Sequence, residues 1–335
     1  MLQIVCPTHT PHFNHNGVFL RSIDKHCIDK DNVTINFIIS KYEVSDFQVL
    51  MSNADFKLNI KIWNLKDLVK ELFNKDIDEQ QLLNKIGKYN FQCLKKFIGV
   101  YKFGNPYSLL IDAETLIVRN FKMQELFDNH FNRDKHIFYT RNDYGNFIGI
   151  QKQLTEDCLR ILEEDTKLPF YFLEAYNWFF DKNIVQDLFN KIKKIHNCSI
   201  FEILTEKYKI IFETPLYNLF IYYNNDKYNY KFICINDELY KIMGEKEYEI
   251  YKSNKELPTA FEFHAKLMNT QYQVDIFKVF YNKYKLNFFK YGILHEKQFS
   301  PYQIKFIENT EAIIFLCTLW YVPEKELEEL SKRIT

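Results

Sequence analysis

The sequence predicts an α/β protein: a mainly parallel, doubly wound sheet flanked by helices, with a mixed, largely helical C-terminal half. Two observations predict it. Apolar runs of strand length alternate with stretches of helical apolar spacing through the first third of the chain, the pattern of successive βαβ units. One such run is Val-Thr-Ile-Asn-Phe-Ile-Ile-Ser at 33–40, set between helical stretches. With 335 residues, 47% of them hydrophobic and 26% charged, the chain can bury a large core.

Taken in order, Leu2–Pro7 reads as the first strand and 8–16 as a polar loop at its carboxyl end. Apolar spacing at Val18, Phe19, Ile23 and Cys27 predicts a helix over 17–27. A second strand over 33–40, a short helix over 45–51 capped by Ser45, and a third strand over 58–63 follow. Asn64 then caps a helix through Leu65, Leu68, Val69 and Leu72. A longer helix over 80–101 is interrupted near Gly87. The turn Gly104-Asn105-Pro106 leads into a fourth strand ending at Asp112. Beyond it the spacing predicts a segment hugging the sheet over 115–118, a helix over 123–131 and a strand over 136–140. Further helices are predicted over 155–164 with Thr155 as cap, over 176–194 and over 272–286, with another starting at Asn197-Cys198-Ser199 and the last strand within 304–321. Residues 1–150 form the front half of this reading and 151–335 the back half, packed as one body.

Composition narrows the functional classes. Lys+Arg and Asp+Glu both number 44, so the net charge is zero, which argues against a protein that holds nucleic acid by bulk charge. Phe and Tyr number 32 and 23. A codon bias toward AT-rich triplets accounts for such a composition, and exposed members can still stack on sugars or bases. The cysteines at 6, 27, 93, 158, 198, 234 and 317 are odd in number and widely spaced, without a CxxC pair, so neither a disulfide framework nor a structural zinc site is expected. The start of the chain runs into a core strand without a basic leader, and no apolar run is long enough to span a bilayer. The expected location is cytoplasmic, at the inner face of a membrane where the acceptor is lipid-linked. The Lys- and aromatic-rich stretch 278–290 can touch such a surface, although a solvated amphipathic helix explains it equally.

The stretch that carries chemistry is Asp112-Ala113-Glu114, at the end of the apolar run Tyr107-Ser108-Leu109-Leu110-Ile111. In an extended strand, side chains two apart share a side. Adjacent carboxylates repel unless a cation sits with them, and oxygen ligands suit Mg²⁺ or Mn²⁺ held partly by substrate phosphates. Ligands of α/β sheets bind at the carboxyl ends of strands. A divalent-metal site presenting a phosphate-bearing substrate is therefore expected, with an acidic surface turn as its plain alternative.

With Cys6-Pro7-Thr8-His9-Thr10 after the first strand and Gln92-Cys93-Leu94-Lys95-Lys96 on a helix, this segment resembles bacterial GT-A-type glycosyltransferases of capsule and lipo-oligosaccharide biosynthesis. The likeness runs roughly from Leu2 to Arg119, with Glu114 standing in place of the second Asp of the family's D-x-D motif. The resemblance implies a GT-A-like, Rossmann-like fold, a nucleotide-sugar donor such as a UDP-sugar, Mn²⁺ or Mg²⁺ on its diphosphate, and transfer of the sugar to a hydroxyl of a glycan or lipid-linked glycan. It implies no nucleic-acid partner. Two other readings remain: a sugar-phosphate nucleotidyltransferase, against which the single glycine of 6–17 counts, and a non-catalytic nucleotide-sugar or glycan-binding protein.

Candidate roles follow. Pro7 and Thr8 would cradle the donor's base and ribose. His9, His12 and His15 crowd the same loop, but without a Cys or acid to complete a zinc set. Of Lys95, Lys96 and Lys102, the resemblance favours Lys95 as a donor contact. Asp112 and Glu114 would bind donor and metal, with His295 as a late third ligand, His264 competing for that place and Lys297 near the leaving diphosphate. An inverting transfer needs a base; Glu174, set among aromatics, ranks before Glu213 and Asp143. Trp178 and Tyr176, with Tyr171 nearby, would offer aromatic faces to the acceptor, or simply fill the core.

Overall fold

The structure, a computed structural model, describes residues 1–52, 56–141, 150–165, 170–172, 178–208, 210–254, 268–291 and 297–334, the side chains of 150, 151 and 171 excepted. Its strands are β1 (Leu2–Pro7), β2 (Val33–Ile39), β3 (Asn59–Asn64), β4 (Tyr107–Leu110), β5 (Leu116–Ile117), β6 (His136–Arg141), β7 (Phe170–Phe172), β8 (Phe179–Asp181), β9 (Lys231–Cys234), β10 (Phe288–Lys290) and β11 (Phe315–Cys317). The main sheet has the order β3-β2-β1-β4-β8. β1 runs parallel to β2 and β4, and β2 parallel to β3; only β8 is antiparallel. Every residue of β2 and the last four of β1 are buried, as the unbroken apolar runs require of a sheet covered on both faces. The protein is therefore mixed α/β with a mainly parallel central sheet. Two smaller sheets, β10-β11-β5 and β7-β6-β9, flank it.

Four helices connect the first strands: α1 (Phe13–His26), α2 (Val44–Ser52), α3 (Leu65–Phe73) and α4 (Glu79–Phe103). Asn64 caps α3 by accepting from the Asp67 N–H, as its sequence position predicts. Gly87 breaks the regular path of α4 with φ 74° and ψ 167°, a conformation open to a residue without Cβ. Twelve residues on, Gly99 lets α4 lie directly on the sheet, since a Cβ there would overlap Val5 Cγ1 and Ile38 Cδ1. This close approach lays the second half of α4 antiparallel along β1, with Lys95 and Lys96 at the sheet's carboxyl edge and Phe103 toward the start of β4.

Several boundaries differ from the sequence reading. α1 begins at Phe13 because the polar residues ahead of 17 are satisfied inside: Asn16 is fully buried and its Nδ2 donates to Thr8 Oγ1 and the His12 carbonyl. Ser45 and Thr155 lie within helices Val44–Ser52 and Ile150–Leu162 and cap neither. The helix expected over 176–194 is two elements. Phe179 and Phe180 pair with Leu109 and Ser108 as β8, and the helix starts at Lys182 under an Asp181 cap. Three successive large apolar residues suit a buried strand as well as a helix, so periodicity could not separate them. The strand expected within 304–321 is confined to Phe315–Cys317, between helices Pro301–Asn309 and Glu324–Ile334.

The core forms three clusters. One joins α4 to helices 182–196 and 213–223, a second packs the C-terminal helices, and a third lies between the main sheet and α1. Each draws residues from before and after 150. All seven cysteines are free thiols, six of them buried. Among the described residues no helix is long and apolar enough to cross a membrane.

Candidate active site at the carboxyl edge of the main sheet

The chain winds from β1 outward to β2 and β3, then α4 carries it back to β4 on the other side of β1. That reversal places a topological switch point at the carboxyl ends of β1 and β4, the place where open α/β sheets bind ligands. The segments that reach it are the loop after β1, the bend after β4, the middle of α4 and the chain after β11.

β4 ends at Leu110, and Asp112 and Glu114 lie on an irregular bend instead of an extended strand. The Thr115 hydroxyl donates to the Asp112 carbonyl at 2.8 Å, which turns the chain. The two carboxylates consequently meet different partners. Asp112 Oδ1 lies 3.3 Å from Lys96 Nζ, and its Oδ2 accepts from Thr318 Oγ1 at 3.5 Å. Glu114 Oε2 lies 3.1 Å from His12 Nδ1. Lys96 Nζ also meets Glu213 Oε1 at 2.8 Å, so one ammonium joins the tip of β4 to the first residue of helix 213–223. Burial disfavours the charged carboxylate of Asp112, but Lys96, Lys290 and His12 outweigh it and hold the group below its ordinary range. Burial likewise works against a charged His12, yet the bond to Glu114 and the charges of Glu114 and Asp112 raise its pKa above the usual value.

Lys95 and Lys96 point apart, as adjacent helical residues must. Lys96 reaches the acids. Lys95, 1% exposed, enters the floor and donates to the Thr8 carbonyl at 3.0 Å. Burial pulls its pKa down to about 8 against the opposing pull of Glu43 and Glu79. Glu43 Oε1 accepts from both the N–H and the hydroxyl of Thr10, at 2.8 and 2.7 Å. The loop after β1 is thus tied down by Lys95, Asn16 and Glu43 together. His9 packs against His12 at a tilt of 51° with ring centroids 4.1 Å apart, and burial with the neighbouring His12 and Lys95 pushes its pKa down to about 4.

Structure and sequence reading meet unevenly here. Asp112, Glu114 and Glu213 come together. Pro7 and Thr8 are buried, so they shape the loop from beneath, and the contacts a ligand can reach pass to His9, Thr10 and His12. The lysine beside the acids is Lys96; Lys95 is structural, and nothing in the sequence distinguished the two. Lys102 pairs with Glu71 on the protein's flank. Trp178 is 6% exposed, packs on Phe288 and accepts from the Leu110 N–H through its carbonyl, so its indole fills core and offers no open face. Glu174, Asp143, Tyr176, His295 and His264 lie outside the described residues. Sequence reasoning missed Thr318 and Glu43, which reach their partners only through long-range packing.

The donor atoms suit a hard divalent cation. Mg²⁺ and Mn²⁺ need only one or two carboxylates when phosphate oxygens complete the shell, and the Asp112 side chain is 24% open. Asp112 and Glu114 supply oxygen donors of that kind, each already engaged by a side chain, Lys96 and His12 respectively. Among the described residues no group of three His, Cys, Asp or Glu side chains is placed to hold an ion without such help.

No protein-family model matches the chain, and no curated protein matches it in sequence. Among solved structures it is similar to mouse xyloside xylosyltransferase 1 in its apo form, with 12% identity and TM-score 0.38 over 71% of this chain and 86% of that one. It is similar to the galactosyltransferase LgtC in complex with donor and acceptor sugar analogues, with 10% identity and TM-score 0.31 over 63% and 73%. It is also similar to core-mannan synthase A from Aspergillus fumigatus in its Mn/GDP form, with 8% identity and TM-score 0.35 over 66% and 69%.

Proposed function

We propose that the chain is a GT-A-type glycosyltransferase that takes a nucleotide-sugar, a UDP-sugar by preference, and moves its sugar to a hydroxyl of a surface glycan, free or lipid-linked. The observation that carries this reading is the meeting of Asp112 and Glu114 with Lys96 and His12 at the switch point of the main sheet. An anion entering there finds the Lys96 ammonium, the His12 imidazole, a loop tied down by Lys95, Asn16 and Glu43, and two carboxylates that can serve a metal.

Each residue then has a role. Lys96 faces the leaving diphosphate with positive charge, preorganised by Asp112 and Glu213 so that little reorganisation accompanies departure. Glu213, 4% exposed and committed to Lys96, orients that ammonium. His12, whose pKa the bond to Glu114 raises against the effect of burial, adds a ring N–H donor. Lys95, Asn16 and Glu43 hold the loop after β1 in register. Mg²⁺ or Mn²⁺, held by Asp112 and Glu114, would supply Lewis-acid stabilisation of the departing charge. The base that an inverting transfer requires is sought at Glu174 or Asp143.

The test is nucleotide release from a panel of UDP- and GDP-sugars, with and without Mn²⁺, by the native protein and by Asp112→Ala. Slow release to water that disappears in the variant supports the reading. Absence of release from every donor, together with no rise in thermal midpoint with any of them, would sink it.

A further inference from the structure

Lys96 Nζ meets two carboxylates in unlike settings. Glu213 Oε1 lies 2.8 Å away on a buried side chain, at the first residue of helix 213–223, where the helix dipole also favours negative charge. Asp112 Oδ1 lies 3.3 Å away, on a side chain that is 24% open. A charge pair is stronger when it is short and removed from water. Glu213 is therefore the anchor of the ammonium, and Asp112 is the partner it can give up. The Lys96 side chain is itself 18% open, so an anion arriving from solvent can reach the ammonium while the bond to Glu213 persists.

An ammonium and a dication compete for one carboxylate. With Lys96 against Asp112, and with Lys290 and His12 acting on it as well, a divalent cation approaching this acid meets a group already paired and a positive charge beside it that repels. Glu114 brings no relief, because its Oε2 faces His12. A nucleoside diphosphate changes the balance. Its charge offers Lys96 a partner in place of Asp112, and its oxygens add to the shell of the cation.

We propose that Lys96 is a latch on Asp112: anchored on Glu213, it holds the acid until a nucleotide arrives and then passes to the diphosphate, so that Asp112 takes a divalent cation only together with the nucleotide. This inference rests on the glycosyltransferase reading above and deepens it, since it fixes the order in which the donor and its cation bind. Lys96 is here a positioning residue, acting on the cation through Asp112. By linkage the dependence is mutual, and the cation strengthens nucleotide binding by the same factor.

Lys96→Met alone would strand the buried Glu213, so the test pairs it with Glu213→Gln. Mn²⁺ binding to the protein is read from the paramagnetic resonance of the free ion, with and without UDP or GDP, and nucleotide binding in EDTA is read by calorimetry. Native protein is expected to bind Mn²⁺ about a hundredfold more tightly with nucleotide than without it. The double variant should bind Mn²⁺ alone about tenfold more tightly than native, bind nucleotide in EDTA about tenfold more weakly, and lose about tenfold of the mutual dependence. Glu213→Gln by itself removes the anchor, leaves Lys96 to Asp112, and should weaken Mn²⁺ binding instead. A double variant that binds Mn²⁺ alone no more tightly than native overturns the latch, and nucleotide binding by the native protein then keeps the transferase reading. Native protein whose Mn²⁺ binding is not strengthened by nucleotide overturns the latch as well. Tighter Mn²⁺ binding by the double variant in a protein that binds neither UDP nor GDP shows Lys96 guarding Asp112, and overturns the transferase reading together with the diphosphate's part in the latch.

Discussion

His12 Nδ1 stands 3.1 Å from Glu114 Oε2, and this contact fastens the loop after β1 to the bend after β4. The two segments lie on either side of the sheet's switch point, about a hundred residues apart in sequence. Because the contact joins an acid to an imidazole, its strength depends on a titrating group.

The His12 imidazole should therefore titrate above 6.5 in the metal-free protein, and Glu114→Gln should bring its midpoint down. Because the folded pKa is raised, the contact stabilises the protein fully below the unfolded value and fades as pH climbs through the folded one. NMR of the histidine ring resonances checks this; a midpoint unchanged by Glu114→Gln would refute the coupling.

Lys96 pairs with both Asp112 and Glu213, and Glu213 is 4% exposed. Lys96→Ala should destabilise the protein by about 3 kcal/mol, because it strands a buried carboxylate. Lys96→Ala with Glu213→Gln should recover much of that stability but not nucleotide affinity. Urea unfolding and nucleotide titration of both variants separate structural from binding loss.

Lys95 should act through the loop alone. Lys95→Met keeps the volume and removes the bond to the Thr8 carbonyl. The expected result is faster hydrogen exchange at the Thr10 amide, whose bond to Glu43 then sits on a loop no longer anchored at the Thr8 carbonyl, with weaker nucleotide binding and an intact fold. Unchanged exchange at Thr10 would show that Asn16 and Glu43 suffice.

His130 sets an acid limit on stability. Its ring stacks on Phe179 at 4.6 Å, its Nε2 is enclosed without a partner, and burial first, then His136 and Lys135, push its pKa down to about 3. Between that value and 6.5 the unfolded chain binds a proton that the folded one refuses, so stability falls as pH drops through this window. His130→Phe should flatten the decline by roughly 2–4 kcal/mol. Thermal midpoints from pH 7 to 4 provide the measurement.

Much of the architecture was legible in the residues. The unbroken apolar runs at β1 and β2, the Asn64 cap and the interruption at Gly87 are local signals, and each appears where the sequence places it. The acidic pair was legible for the same reason: it directly follows an apolar strand. The Trp-Phe-Phe run at 178–180 was not, since its strand identity comes from pairing with β4.

By itself the sequence determined a mainly parallel α/β sheet and the position of Asp112 and Glu114 at its carboxyl edge, because strand period, caps and turns are written in neighbouring residues. Tertiary structure alone decided that Lys96 faces Asp112 while Lys95 is buried, that Glu114 meets His12, that Trp178 belongs to the core, and that Thr318 reaches Asp112. Those assignments depend on the rotation of α4 against the sheet and on packing between residues some two hundred positions apart, which no local pattern encodes.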